Sequence, residues 1–235
     1  PTDDAFFSTP QGLKHASLVA FGMTRRGGRS TENDPGLKAI LDAQADATCL
    51  VGKTWDFHVT TALNIELDEN LQMIRDSVAA SKSAQFESMF DCEHYFDGFK
   101  ANKEFALSCV KAAAEGGADW VVLCDTNGGT LPDEVFDIVR QTAQACPEVR
   151  LGIHCHNDSG VAVANSLAAI HAGARQLQGT LNGLGERCGN ADLITLIPNL
   201  MLKLGFETSI NEANLSRLTS LSRMLDDRLN RTPNQ

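Results

Sequence analysis

Six times along the chain a short apolar run is followed by a polar, mostly glycine-bearing loop and then a helical pattern, at roughly thirty-residue intervals. The apolar runs 16–22 (ASLVAFG), 48–51, 86–90, 120–124 (WVVLC), 151–156 and 176–181 read as buried strands. Helices are expected at 37–44, 67–83, 103–115, 131–146, 161–171 and 191–204, with one more helical stretch at 212–229. Residues 3–15 are amphipathic and helical in part, weakened by Pro10 and Gly12. Strand and helix in strict alternation require a parallel sheet with helical crossovers. The chemically interesting residues all fall just after strands, in four successive loops. A doubly wound sheet would gather them at a single switch point, whereas a (β/α)8 barrel carries its site around the C-terminal rim. The expected fold is therefore a TIM barrel lacking about its first two βα units, because six units are too few to close it. Residues 1–208 are assigned to this partial barrel, and 209–235 to a helical segment and the start of a linker. The start at Pro1, without a methionine, reads as a fragment or a domain of a longer protein.

A net charge of −10 with no basic run argues against nucleic acid and acidic membranes as partners. The seven cysteines are scattered without a CxxC, which reads as reduced thiols of a cytoplasmic protein. No signal peptide and no apolar run long enough to cross a bilayer is found.

Chemistry concentrates in 150–193. His154 and His156 stand two apart in a strand, so both imidazoles share a face. One inward histidine is ordinary core, but two need two sets of buried partners, and metal binding accounts for the pair more directly. Roughly thirty-five residues on, about one α/β repeat, Asn190 ends a glycine-rich turn (NGLGERCGN); alone it would read as a turn with a helix cap. Glu93, in FDCEHYFDG beyond a strand, is a candidate general base, with His94 a weaker one. Thr126, after WVVLC, can bind a substrate carboxylate or carbonyl, although Asn127-Gly128-Gly129 is also plain turn chemistry. Asn157-Asp158-Ser159 reads as a helix cap, Glu186-Arg187 as an internal ion pair, Arg25 and Arg26 as a solvated loop, and Cys155 and Cys188 as structural.

The stretches LVAFGMTRRGG, GKTWDFHVT, FDCEHYFDGFKAN, CDTNGGTLP and GIHCHNDSG through GERCGN together resemble the 2-isopropylmalate, homocitrate and citramalate synthase family over nearly the whole chain. GKTWDFHVT and FDCEHYFDG are most similar to the (R)-citramalate synthases. The resemblance implies a TIM barrel and a Claisen-type condensation of acetyl-CoA with a 2-oxo acid, pyruvate in the citramalate case, within isoleucine biosynthesis. It implies a divalent metal (Mg, Mn or Zn) held by His154, His156 and Asn190. Glu93 falls at the family's barrel-mouth glutamate, which handles acetyl-CoA, and Thr126 at a threonine that contacts the oxo acid. It also implies a cytoplasmic homodimer for the intact protein. The family's DTTLRDG-like first-strand motif, with its oxyanion arginine and metal-binding aspartate, is absent from this sequence. The 235 residues alone are therefore expected to be inactive, with an open sheet edge. The runner-up readings are a 2-isopropylmalate synthase acting on 2-oxoisovalerate in leucine biosynthesis, or an inactive barrel fragment with weak metal binding. A related CoA-ester lyase fits less well, because Cys188 does not match the lyase cysteine's spacing.

Overall fold

The fold is taken from a computed structural model, which describes residues 2–9, 11–84 and 86–232. Strands β1 (Val19–Met23), β2 (Ala47–Lys53), β3 (Glu87–Glu93), β4 (Trp120–Asp125), β5 (Leu151–Cys155) and β6 (Gln176–Gln178) form one sheet in sequential order. Every neighbouring pair is parallel. Sequential parallel order without a reversal is the winding of a barrel, as the repeat pattern predicts.

Side-chain alternation divides the sheet into two faces. On the outer face Leu50, Phe90, Cys92, Val121, Leu123, Ile153 and Cys155 are buried under the helices. Helices α1 (Thr2–Phe7), α2 (Pro35–Leu41), α3 (Asp56–His58), α4 (Leu67–Ser83), α5 (Tyr95–Ala101), α6 (Lys103–Glu115), α7 (Pro132–Ala145) and α8 (Ala162–Ala172) precede or connect these strands. On α4, Ile74 and Val78 are fully buried and Leu67 and Leu71 pack beside them, which is the face expected from their spacing. On the inner face Phe21, Cys49, Val51, Met89, Asp91, Cys124, His154, Gln176 and Gln178 look into the barrel. At β1 that face meets solvent: Phe21 is 63% and Met23 54% exposed.

Three local readings change. Residues 95–101 are helical, not loop: Tyr95, Phe96 and Phe99 are buried, and their helical spacing outweighs Gly98. Gly98 is required there, because a Cβ would lie 2.3 Å from the Thr54 carbonyl oxygen. Residues 191–204 do not form one regular helix. Helix α9 (Leu193–Pro198) passes into a wider π-type turn, Asn199–Lys203, where Pro198 lacks an N–H. Arg25 is not in a solvated loop. It is buried, donating to Glu69 at 2.8 Å and Asp76 at 3.0 Å on α4, and so ties the β1 loop to that helix. Beyond α9 the chain ends in α10 (Glu212–Leu215) and α11 (Leu218–Arg228).

Asp34 caps α2: Oδ1 accepts from the Gly36 and Leu37 N–H groups, and Oδ2 from that of Arg26. Burial pushes this carboxyl up, but the three N–H donors and the Arg26 charge outweigh it and hold it below its ordinary value. A carboxylate depressed on folding contributes stability above its unfolded pKa and loses it as pH falls through the folded one. Asp34→Ala is expected to cost about 1 kcal/mol at neutral pH, and urea melts repeated at falling pH should show that cost fading. Gly98→Ala is expected to cost about 1–3 kcal/mol; an unchanged urea midpoint would show that the α5 contact with Thr54 is soft.

Candidate active site

Parallel strands end on one rim, and the expected residues stand there. Lys53 ends β2, Glu93 ends β3, Thr126 follows β4, and His154 and His156 lie at and just beyond the end of β5. Glu93, Thr126, His154, His156 and Asn190 border an open cleft of about 600 Å³ inside the barrel. The structure thus brings His154, His156, Asn190, Glu93 and Thr126 to one rim.

The histidine rings lie 5.1 Å apart between centroids. His154 Nδ1 faces Gln178 Oε1 at 2.9 Å, a bond that leaves Nε2 with its lone pair. Asn190 is brought alongside by a single antiparallel bridge to His156. Its Nδ2 donates to the Leu184 carbonyl at 3.0 Å, while its buried Oδ1 accepts no hydrogen bond. A buried amide oxygen without a partner is costly unless something else takes its lone pair. The turn that delivers Asn190 must be glycine-built: a Cβ on Gly185 would fall 1.9 Å from Asn190 Nδ2, and Gly189 adopts φ +93°.

Arg187 joins three rim loops. Its Nε and Nη2 grip the Asp158 carboxylate at 2.8 and 2.9 Å, and Nη2 also donates to the Thr126 carbonyl at 2.7 Å. Glu186 is 3.5 Å away, so the pair expected to shape the loop is minor beside Asp158. Arg187 holds the Asp158 carboxyl well into its charged form. Its Nη2 also approaches His156 Nδ1 at 3.1 Å. Burial first, then the neighbouring His154 and Arg187, pull the His156 imidazole below its ordinary value. As expected of a cap, Asn157 Oδ1 accepts from the Ala162 N–H at the start of α8.

Glu93 pairs with Lys53 at 2.6 Å, its register partner across β2 and β3. His94, at φ 58°, turns the chain into α5. Its N–H donates to Thr126 Oγ1 at 2.8 Å, which leaves the threonine proton free to donate elsewhere. Asp125 is buried and accepts from Thr130, so it anchors the β4 loop beneath the site. Sequence reasoning missed Lys53 and Gln178, and placed Asp91 with Glu93 and Asp97 among carboxylates of which some are merely solvated, whereas Asp91 is buried. Their signal was a polar residue at an inward position: Lys53 in ATCLVGK, Asp91 in ESMFDCE and Gln178 in QLQ.

Among the described residues no three His, Cys, Asp or Glu side chains converge as a metal cage. The donors on this rim are two imidazoles and an amide oxygen, a set that suits a divalent ion. His154 Nε2 and Asn190 Oδ1 are ready to donate. His156 fits if Arg187 releases Nδ1, because a neutral ring bound through Nε2 carries its proton on Nδ1.

The model of the HMGL-like family matches residues 27–225. The chain belongs to the HMGL-like family. Within this family it is 49% identical over 232 residues to the (R)-citramalate synthase of Aquifex aeolicus, covering 98% of this chain and 44% of that protein. It is 33% identical to the 2-isopropylmalate synthase of Sulfurisphaera tokodaii, over 82% of this chain and 50% of that one. The chain thus spans about half or less of the length of these relatives. In fold it is similar to hydroxymethylglutaryl-CoA lyase from Pseudomonas aeruginosa, with a TM-score of 0.76 at 16% identity over 99% of this chain and 76% of that chain. That likeness supports the barrel architecture and no more.

All seven cysteines are free; six are buried, and Cys188, beside Arg187 in the glycine-rich turn, is exposed. Burial pushes the six buried thiols above their ordinary value. Thiol titration of the native chain is expected to find a single fast-reacting group, abolished by Cys188→Ser; two or more fast groups would contradict this burial.

Proposed function

We propose that this chain forms the metal-holding part of the catalytic barrel of an (R)-citramalate-synthase-type acyltransferase. The observation that carries the reading is identity of 46–49% to five (R)-citramalate synthases across nearly the whole chain, against 33–35% for 2-isopropylmalate synthases. The reaction is condensation of acetyl-CoA with pyruvate. The acetyl methyl group loses a proton to a base, and the resulting enol forms a carbon–carbon bond to the oxo carbon. Water then cleaves the thioester, giving (R)-citramalate and free CoA, a precursor step for isoleucine.

His154 and Asn190, with His156 once Arg187 releases its Nδ1, would hold a divalent metal (Mg, Mn or Zn), which would polarise the oxo-acid carbonyl as a Lewis acid. Thr126, its oxygen already taken by the His94 N–H, turns its proton to the oxo-acid carboxylate. Glu93 acts at the acetyl-CoA end, with Lys53 fixing the direction of its carboxylate. Residues 1–208 are the barrel part, and 209–235 a helical segment beside it. The intact protein is a cytoplasmic homodimer. The 235 residues contain no DTTLRDG-like motif, and so neither the oxyanion arginine nor the further metal carboxylate that this reaction calls for.

The test is CoA release from acetyl-CoA with Mg²⁺ or Mn²⁺ across a panel of 2-oxo acids. The 235-residue chain alone is expected to release none. The chain extended by two upstream βα units is expected to release CoA with pyruvate, and His154→Ala or His156→Ala in it should abolish turnover. Preference for 2-oxoisovalerate would move the assignment to a 2-isopropylmalate synthase. No release with any acid would reject the synthase and leave a metal-binding barrel fragment.

A further inference from the structure

We propose that Gln178 is a positioning residue that sets the tautomer and aim of His154, anchored from across the barrel by Asp91. The inference rests on the metal reading above for its purpose, but not for its geometry.

Gln178 is the register neighbour of His154 on β6, and both face the interior. Its Oε1 meets His154 Nδ1 at 2.9 Å. Its Nε2 donates at 2.9 Å to Oδ1 of Asp91 on β3, a strand that does not adjoin β6 in the sheet. The bond therefore crosses the barrel. The same Asp91 oxygen also accepts from the Cys49 thiol at 3.1 Å on β2. Asp91 is 6% exposed.

The order of donors follows from this arrangement. Asp91 Oδ1 accepts from the Cys49 thiol, and a carboxylate oxygen without a proton can only accept, so the amide nitrogen of Gln178 faces it. The reverse amide orientation would set one acceptor against another. Oε1 is then left for His154 and can only accept, which places the single imidazole proton on Nδ1. The Nε2 lone pair follows, aimed into the cleft. An amide is the side chain that can accept at one end and donate at the other. Leucine can do neither, and a glutamate keeps the acceptor while losing the donor. His156 has the opposite arrangement: a guanidinium, which can only donate, sits at its Nδ1. Two histidines two residues apart thus carry opposite tautomers.

The prediction is tested on the full 235-residue chain with ¹⁵N-labelled histidine and no metal. Two-bond ¹H–¹⁵N correlation spectra report which ring nitrogen holds the proton, and His154→Gln assigns the signal. In the unsubstituted chain His154 is expected as the Nδ1–H form, and in Gln178→Leu that preference is expected to be lost. Gln178→Glu is expected to keep Nδ1–H, and it carries the comparison should the leucine variant fail to fold. In a parallel titration Mn²⁺ is expected to bind the leucine variant about 10–100-fold more weakly than the parent. An unchanged tautomer in Gln178→Leu, or Nε2–H in Gln178→Glu, would overturn the proposal. So would a changed tautomer with undiminished Mn²⁺ affinity. If the parent chain binds no Mn²⁺, the metal reading falls, and the spectra still decide whether Gln178 sets the tautomer.

Discussion

The parallel register of the sheet is the constraint on which the rest depends. Each strand repeats the direction and spacing of its neighbour, so the ends of all six fall on one rim. Lys53 meets Glu93, and His154 meets Gln178, because they are register partners. A slip of one residue on any strand would send its inward side chains under the helices and its core residues into the cleft. The buried outer face, with Phe90, Leu123 and Ile153 packed against helices, makes such a slip costly. The core is thus what holds the polar interior in place.

On that rim, polar groups are linked in two separate sets. One crosses the barrel through Cys49, Asp91, Gln178 and His154. The other runs along the top through Asp158, Arg187, His156 and the Thr126 carbonyl. Each histidine of the pair belongs to a different set. The unpartnered oxygen of Asn190 lies next to His156, between a rigid interior and loops held by one guanidinium. Charge on the upper set is screened by solvent, since Arg187 is 44% exposed, so its hold on the loops is weaker than that of the buried lower set.

Much of this was legible beforehand. Helices 67–83 and 103–115 match the observed elements to the residue, because long stretches with periodic apolar residues state their buried face. The spacing of His154 and His156 stated their common face. The helix at 95–101 was hidden because Gly98 reads as a turn residue, and only its contact with the Thr54 backbone explains it. Arg25 looked solvated because nothing in RRGG says that Glu69 and Asp76, far along the chain, converge on it.

By itself the sequence determined the alternation of strand and helix, the barrel-type winding, and the kinds of side chain that reach the rim. These are local properties: periodicity, turn chemistry and spacing act over a few residues. Only the tertiary structure decided which partner each of those side chains meets. That Gln178 reaches Asp91, and that Arg187 turns to Asp158 instead of its neighbour Glu186, depends on groups brought together by the curvature of the sheet. Hydrogen bonding needs placement within a few tenths of an ångström, and no pattern along a chain carries that precision.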